Sequence, residues 1–494
     1  MGRWDAVILG SGVGGLAAAS ALARGGLKVL VLEKNSAVGG ACAAVEWEGF
    51  QFDVAVHLFA SGEKGVLGEA LRRAGERVEF LPAVREDVVL RVGRTSVEVP
   101  GYGCRGVEEA VRDFAGMYAA FGLEFGAGDE ALVRDLWTLP GQELDRLDRT
   151  DLLSFIGRYP VGAPALLVPS ILSTLYTTSA AGQVAAGEFI RCYQEVFRNS
   201  SLSYVRGGAS AIPEALGRAV EASGGEVRTR APAGLLRIRG GRVEGVETRG
   251  GFEEAPVVVS TAGLRETVFG LAGEGRFPAD YLERVRAVRT YNFDTREVLR
   301  VALRGRVAEA KNYLAGDAPG AERLLRLSRH LPAALAARMT RRGQGRWYGG
   351  AASRGRLWLN RLLGHAGFGI AWAVFPTHFD PDLAPPGRHI LLAVGARGMT
   401  WPYLRRLFPG LSREVMRMWD PSTRFYGGFL GKAGGPPISN PPLVGQAGRD
   451  RLPNETPVEG LYLAGDSAGG RGIGTEMAAR SGLECADKIL AARG

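Results

Sequence analysis

A chain of 494 residues, 46% hydrophobic and carrying 72 glycines, can bury a sizeable core and suits an α/β protein of two domains. No apolar run is long enough to span a membrane, and the four cysteines, Cys42, Cys104, Cys192 and Cys485, lack the spacing of a zinc site or a disulfide framework. That pattern excludes a structural metal and suits a reducing cytoplasm, with each thiol a small packed hydrophobe.

Asp5 to Lys34 opens the order of elements. Ala6-Val7-Ile8-Leu9 reads as a buried strand, Gly10-Ser11-Gly12-Val13-Gly14-Gly15 as a tight turn entering an Ala-rich helix, and Val29-Leu30-Val31-Leu32 as a second strand ending in Glu33. Gly10 permits the turn, Gly12 lets backbone approach a pyrophosphate at the helix N-terminus, and Gly15 allows close packing of helix on strand. Glu33 stands where a carboxylate accepts hydrogen bonds from an adenosine ribose. Gly10, Gly12, Gly14, Gly15, Glu33 and Lys34 are therefore candidate dinucleotide-binding residues. A fingerprint starting this early leaves no room for a signal peptide, so the expected location is cytoplasmic.

A second glycine pair, Gly39-Gly40, could pass close to the same ligand. Val45 to Asp53 alternates like a hairpin and leads to His57, either an imidazole facing a redox ring or a core histidine satisfied by backbone. Residues 62–200 read as mostly helical, with helices near Gly65–Ala74, Val107–Phe121 and Asp129–Trp137. The apolar stretch Ala163–Tyr176 is too short to cross a bilayer and reads as a core helix in preference to a cavity lining. Tyr204–Pro213 opens a helix running to about Ser223. Short strands follow over 226–229, 234–239 and 242–248, the last two joined by a Gly240-Gly241 turn, and then an apolar strand at Val257–Ser260.

Residues 265–440 form a second excursion and hold most of the excess charge. The formal net charge is +9, and between Arg323 and Phe379 stand ten arginines with no Asp, Glu or Lys; without those ten the chain has 51 basic against 52 acidic residues. Leu324, Leu327, Leu331 and Leu335 recur there at helical spacing among Arg326, Arg329 and Arg338, the pattern of a basic amphipathic helix on an anionic membrane surface; the alternative is a solvated basic face. No aromatic-interleaved basic motif appears, which argues against nucleic acid. His389–Val394 reads as a buried strand. In the C-terminal block a strand ends in Gly465-Asp466, and a glycine loop, Gly469 to Gly474, opens a final helix. This block sets a second group of backbone N–H donors and a helix dipole against the ligand, as a long flavin dinucleotide requires and a nicotinamide dinucleotide does not.

With these stretches assembled, the chain resembles the FAD-dependent phytoene desaturase and carotenoid isomerase family, within the wider superfamily of retinol saturases and flavin amine oxidases. The resemblance covers residues 5–59, 204–263, 374–397 and 460–490. Its marks are the first glycine fingerprint with Glu33, Phe52-Asp53-Val54-Ala55-Val56-His57, the Asp380–His389 turn, Leu463-Ala464-Gly465-Asp466, and Ser481 to Asp487. It implies an α/β fold of glutathione-reductase type: a discontinuous Rossmann-like FAD-binding domain (1–95, 201–264 and 441–494) with an inserted α+β substrate and membrane-facing domain (96–200 and 265–440). It implies FAD held by the residues above with Gly39, Gly40, Gly465, Asp466 and Gly474, no metal, and a lipophilic isoprenoid or polyene substrate undergoing desaturation, saturation or isomerisation by hydride transfer at flavin N5. His57 and Glu476 are the candidate acid/base groups, although Glu476 could equally cap the final helix or pair with Arg471. Ala37 and Ala41 stand where amine oxidases carry arginines, which counts against an amine or amino-acid oxidase. A non-catalytic flavin-binding membrane protein is the remaining alternative.

Overall fold

The computed structural model describes residues 4–55, 58–177, 179, 181–290, 296–317, 330–335, 369–396, 398, 400–419, 440–472 and 474–493. Its first layer is a five-stranded parallel sheet built from both ends of the chain. The strands are β1 (Ala6–Leu9), β2 (Val29–Leu32), β3 (Glu226–Arg228), β4 (Val258–Ser260) and β5 (Leu461–Leu463), in spatial order β5-β4-β1-β2-β3. Register is set by Val7 opposite Val258 and Leu30, and by Val259 opposite Tyr462. β1 and β2 are apolar at every position because the sheet is covered on both faces.

The two covers follow from the side-chain alternation of a strand. Ala6, Ile8, Val29 and Val31 point to a helical layer of α1 (Val13–Arg24), α2 (Ala211–Ala222) and α3 (Gly474–Ala491), while Val7, Leu9, Leu30 and Leu32 point to an antiparallel sheet of residues 233–254. α1 is rich in alanine and glycine, so α3 can lie close against it. A Cβ added to Gly482 of α3 would sit 2.1 Å from the Gly14 carbonyl oxygen, and one added to Gly14 would meet the Ala478 carbonyl at 2.7 Å. Glycine is required at both positions by this approach of two backbones.

The second layer system is a seven-stranded mixed sheet with spatial order 415–419, 296–303, 389–396, 369–374, 312–317, 88–92, 95–98. Six helices between Val107 and Asn199 cover one face, burying Phe114, Leu132, Trp137, Phe189 and Val196 against Leu90, Leu314 and Leu392. The other face packs Val301, Leu303, Leu391 and Phe375 under Tyr403 and Leu404. The α+β character expected of the insertion is thus present.

Most expected elements lie where the pattern places them, including the hairpin Ala44–Trp47/Phe50–Asp53, helix 66–74, helix 107–120, helix 127–138 and strand 389–396. Val168, Ile171 and Leu172 of the 163–176 stretch are core residues, and all four cysteines are buried free thiols. Three strands, Phe80–Pro82, Val88–Val92 and Thr95–Glu98, interrupt the stretch expected to be mostly helical. The last two belong to the second sheet, since residues 88–92 pair with 312–316, whereas the expected division assigned residues through 95 to the nucleotide-binding part. Of the Arg-rich segment only residues 330–335 are among those described; there Leu331 packs on the insertion core and Leu335 is exposed. No described helix is long and apolar enough to cross a membrane.

Candidate functional site

The fingerprint turn leaves β1 at Gly10, whose φ of +98° no β-carbon tolerates easily. A Cβ there would meet the Thr261 hydroxyl at 2.6 Å, and one on Gly15 would meet the Gly10 carbonyl oxygen at 2.2 Å, so the turn is closed by absent side chains. Gly12, the N-cap of α1, faces open space: nothing lies within 4 Å of its added Cβ. Thr261, at the tip of β4, locks the turn by donating to the Leu9 carbonyl at 2.8 Å.

Glu33 is buried at the end of β2. Its Oε2 accepts from the Ser11 amide at 2.9 Å and the Ser11 hydroxyl at 2.6 Å, and its Oε1 accepts from the Asn35 amide at 2.8 Å. A carboxylate has about four acceptor sites, so one remains for a ribose hydroxyl. Lys34 beside it is exposed. The second glycine pair crosses the first loop, the Gly39 amide donating to the Ser11 carbonyl at 2.9 Å and Gly40 lying against Gly12.

The C-terminal residues arrive at the same place. Gly465, at φ +82°, follows β5 beside Thr261 and under Gly14, and Asp466 continues the turn. Gly474, where α3 begins, has nothing within 4 Å of an added Cβ. Two helix N-termini and two open glycine stretches therefore converge on one cleft, and the chemistry of N–H donors, helix dipoles and a ribose-ready carboxylate fits a long dinucleotide.

Supports that the sequence did not reveal brace this cleft. Arg451 runs behind the last loop and donates to the carbonyls of Gly469 and Asp466. Asp53, 1% exposed, accepts from the Tyr204 hydroxyl and, at 3.0 Å, from the Ala209 amide, while the fully buried Arg300 donates to the Asp53 carbonyl at 3.0 Å. Burial and the Asp53 charge push the Tyr204 phenol well above its ordinary value, which keeps it a donor. Nothing in the run Val298-Leu299-Arg300-Val301 marks its arginine as internal.

Arg471 does not pair with Glu476. It reaches Asp145 at 3.1 Å, Asp148 at 3.4 Å and Glu188 at 3.5 Å, tying the glycine loop to the helical insertion. Arg191 joins the same carboxylates, and the Gly472 amide donates to Glu188 at 3.2 Å. Burial raises the Asp148 and Glu188 carboxyls above their ordinary values despite the two guanidiniums. Glu476, in the first turn of α3, accepts from the Ala60 amide at 2.6 Å. His57 lies outside the described residues.

A cavity of about 620 Å³ lies elsewhere, at the Asp380–His389 turn. It is lined by Arg306, Lys311, Arg388, His378 and His389 together with Asp87, Glu309, Asp382 and apolar residues, and burial with Arg306 lowers the His378 imidazole to about 4. No group of three or more metal-ligating side chains occurs among the described residues.

Residues 8–74 match the NAD(P)-binding Rossmann-like domain family. An all-trans-retinol 13,14-reductase of Macaca fascicularis is 29% identical over 54% of this chain and 48% of its own length. The zeta-carotene-forming phytoene desaturase of Myxococcus xanthus is 28% identical over 52% and 53%, and the chloroplastic prolycopene isomerase of Daucus carota is 44% identical over 16% and 14%. The chain thus matches about half the length, or less, of these curated relatives. Among solved structures, an oxidoreductase from Methanosarcina mazei superposes with a TM-score of 0.68 at 18% identity, covering 98% of this chain and 99% of that one. A putrescine oxidase gives 0.60 at 14%, covering 99% of each. The chain is accordingly similar to retinol reductases, phytoene desaturases and prolycopene isomerases, and it shares the α/β fold of the solved structures with a Rossmann-like nucleotide-binding domain.

Proposed function

We propose that this protein is an FAD-dependent oxidoreductase acting on a lipophilic isoprenoid or polyene, by desaturation, saturation or cis-trans isomerisation. The observation that carries the reading is the meeting of the Gly10–Gly15 turn, Glu33, the Gly39-Gly40 pair and the Gly465–Gly474 loop on one cleft, with α1 and α3 in glycine contact behind it. Gly10, Gly12, Gly14 and Gly15 would admit the pyrophosphate, Glu33 would accept from the ribose, and Gly39, Gly40, Gly465, Asp466 and Gly474 would border the remainder. A bound flavin supplies hydride acceptance and return at N5. The chain's part is to fix the reacting carbon against the ring and keep water out, which proximity and desolvation reward.

The names of the relatives supply the substrate class. They include a reductase of retinol, a desaturase forming zeta-carotene and an isomerase of prolycopene, all acting on conjugated isoprenoids. The likeness to a putrescine oxidase is one of fold, and Ala37 and Ala41 stand where the resemblance to amine oxidases would place arginines. Delivery of such a substrate suits a peripheral position on the cytoplasmic membrane face through the Arg323–Arg361 segment. Pull-down by anionic liposomes should be salt-sensitive and weakened when Arg338, Arg341 and Arg342 become Ala; salt-insensitive binding, or none, removes the membrane part.

Mass spectrometry of lipids from a host with and without the protein tests the reaction. A polyene shifted by two mass units per step, or an isomer of unchanged mass and altered retention, is expected; an unchanged polyene pool with a consumed amine would reverse the assignment.

A further inference from the structure

We infer that Glu476 is a positioning residue, a clasp for the Phe59–Ser61 turn, and takes no proton in the reaction. The inference rests on the flavin reading above for its catalytic half and on geometry alone for its structural half. Residues 59–61 are held by the 201–203 segment, by α3 and by helix 186–199. Phe59 exchanges both backbone hydrogen bonds with Ser203, at 2.8 and 3.0 Å. The Ala60 amide donates to Glu476 Oε1 at 2.6 Å, and the Ala60 carbonyl accepts from the Ser201 hydroxyl at 2.6 Å. The Ser61 hydroxyl donates to Glu195 of helix 186–199.

This turn directly follows the stretch that resembles the flavin-side segment, and Glu476 sits two residues into the helix whose N-terminus borders the cleft. The carboxylate therefore joins two walls of one cleft that are separated by 416 residues in the chain. Its neighbour Thr475 makes a parallel link, with its hydroxyl 3.8 Å from the Cys42 thiol just past the second glycine pair. A charged acceptor on a backbone amide is a strong hydrogen bond, and removing the carboxylate takes this acceptor from the Ala60 amide. Glu195 of helix 186–199 takes the Ser61 hydroxyl beside this point, and burial followed by the charges of Glu195 and Glu476 pushes the Cys192 thiol well above its ordinary value. A carboxylate with an amide on one oxygen serves as a fixed acceptor.

Glu476→Gln separates the two roles because the amide oxygen of glutamine still accepts from Ala60, whereas it cannot shuttle a proton. The experiment measures hydrogen exchange at the Ala60 amide, with and without added FAD, together with the visible circular dichroism of bound flavin and the pH profile of flavin reduction. Wild type and Glu476→Gln should protect Ala60 alike, give the same flavin signal and share one pH profile. Glu476→Ala should exchange about tenfold to a hundredfold faster at Ala60 and alter the flavin signal. Ser201→Ala, which releases the Ala60 carbonyl in the adjacent peptide group, should change exchange in the same direction and serves if Glu476→Ala does not fold. A Glu476→Gln protein that protects Ala60 yet loses turnover and a limb of its pH profile would overturn the inference, as would a folded Glu476→Ala protein with unchanged exchange. Failure to take up FAD would defeat the functional reading instead, leaving the exchange result to judge the clasp.

Discussion

The two halves of the cleft are made in opposite ways. The nucleotide-binding half is shaped by atoms that are missing, since Gly10, Gly14, Gly15 and Gly482 bring backbone to within a distance that a β-carbon would close. The half contributed by the insertion is shaped by paired charge: the buried Arg300 under Asp53, and Arg191 and Arg471 on the buried Asp148 and Glu188 and the exposed Asp145. One half should therefore break when atoms are added and the other when they are removed. A cofactor grip built from backbone tolerates little change.

The largest effect is expected from addition. Gly482→Leu puts a branched side chain where a Cβ alone would sit 2.1 Å from a carbonyl oxygen, forcing α1 and α3 apart at a cost of about 3 kcal/mol or more. The purified variant should be colourless or insoluble; a stable yellow protein would show that the helix contact is dispensable. Removal in the other half comes next. Arg300→Met leaves the buried Asp53 carbonyl without the Arg300 donor and should cost about 2 kcal/mol in urea unfolding. Its bound flavin should be retained, and loss of the flavin ahead of loss of the fold would erase the distinction between the halves.

The smallest effect is a pH dependence. Burial raises the Glu188 and Asp148 carboxyls, so above the ordinary carboxyl value the folded chain keeps protons that the unfolded chain has released. Stability from these groups is then greatest at low pH and falls as pH rises through the raised values. Glu188→Gln should make the decline of the urea midpoint shallower over that window. A steeper decline, or none in either protein, would mean that the network carries no such linkage.

The same contrast explains what the sequence disclosed. Glycine spacing, a strand of four apolar residues and an acid at its tip are local signals, and they located β1, β2, α1, Glu33 and the closing loop. The second sheet draws strands from residues 88–98, 296–317, 369–396 and 415–419, so its pairing is non-local, and the helical pattern around it concealed Val88–Val92. Charge burial is equally silent in a sequence. Nothing around Arg300 marks it as internal, and Glu476 reads as an acid/base group, a helix cap or a partner of Arg471, whereas it reaches the backbone amide of a residue at the other end of the chain.

Anaerobic titration of the FAD-loaded protein tests the central claim most directly. The less desaturated polyene should bleach the oxidised flavin stoichiometrically, or the polyene should reoxidise the reduced flavin, while a polar amine leaves both untouched. Bleaching by the amine alone, or a folded protein that takes up no FAD, would contradict the account.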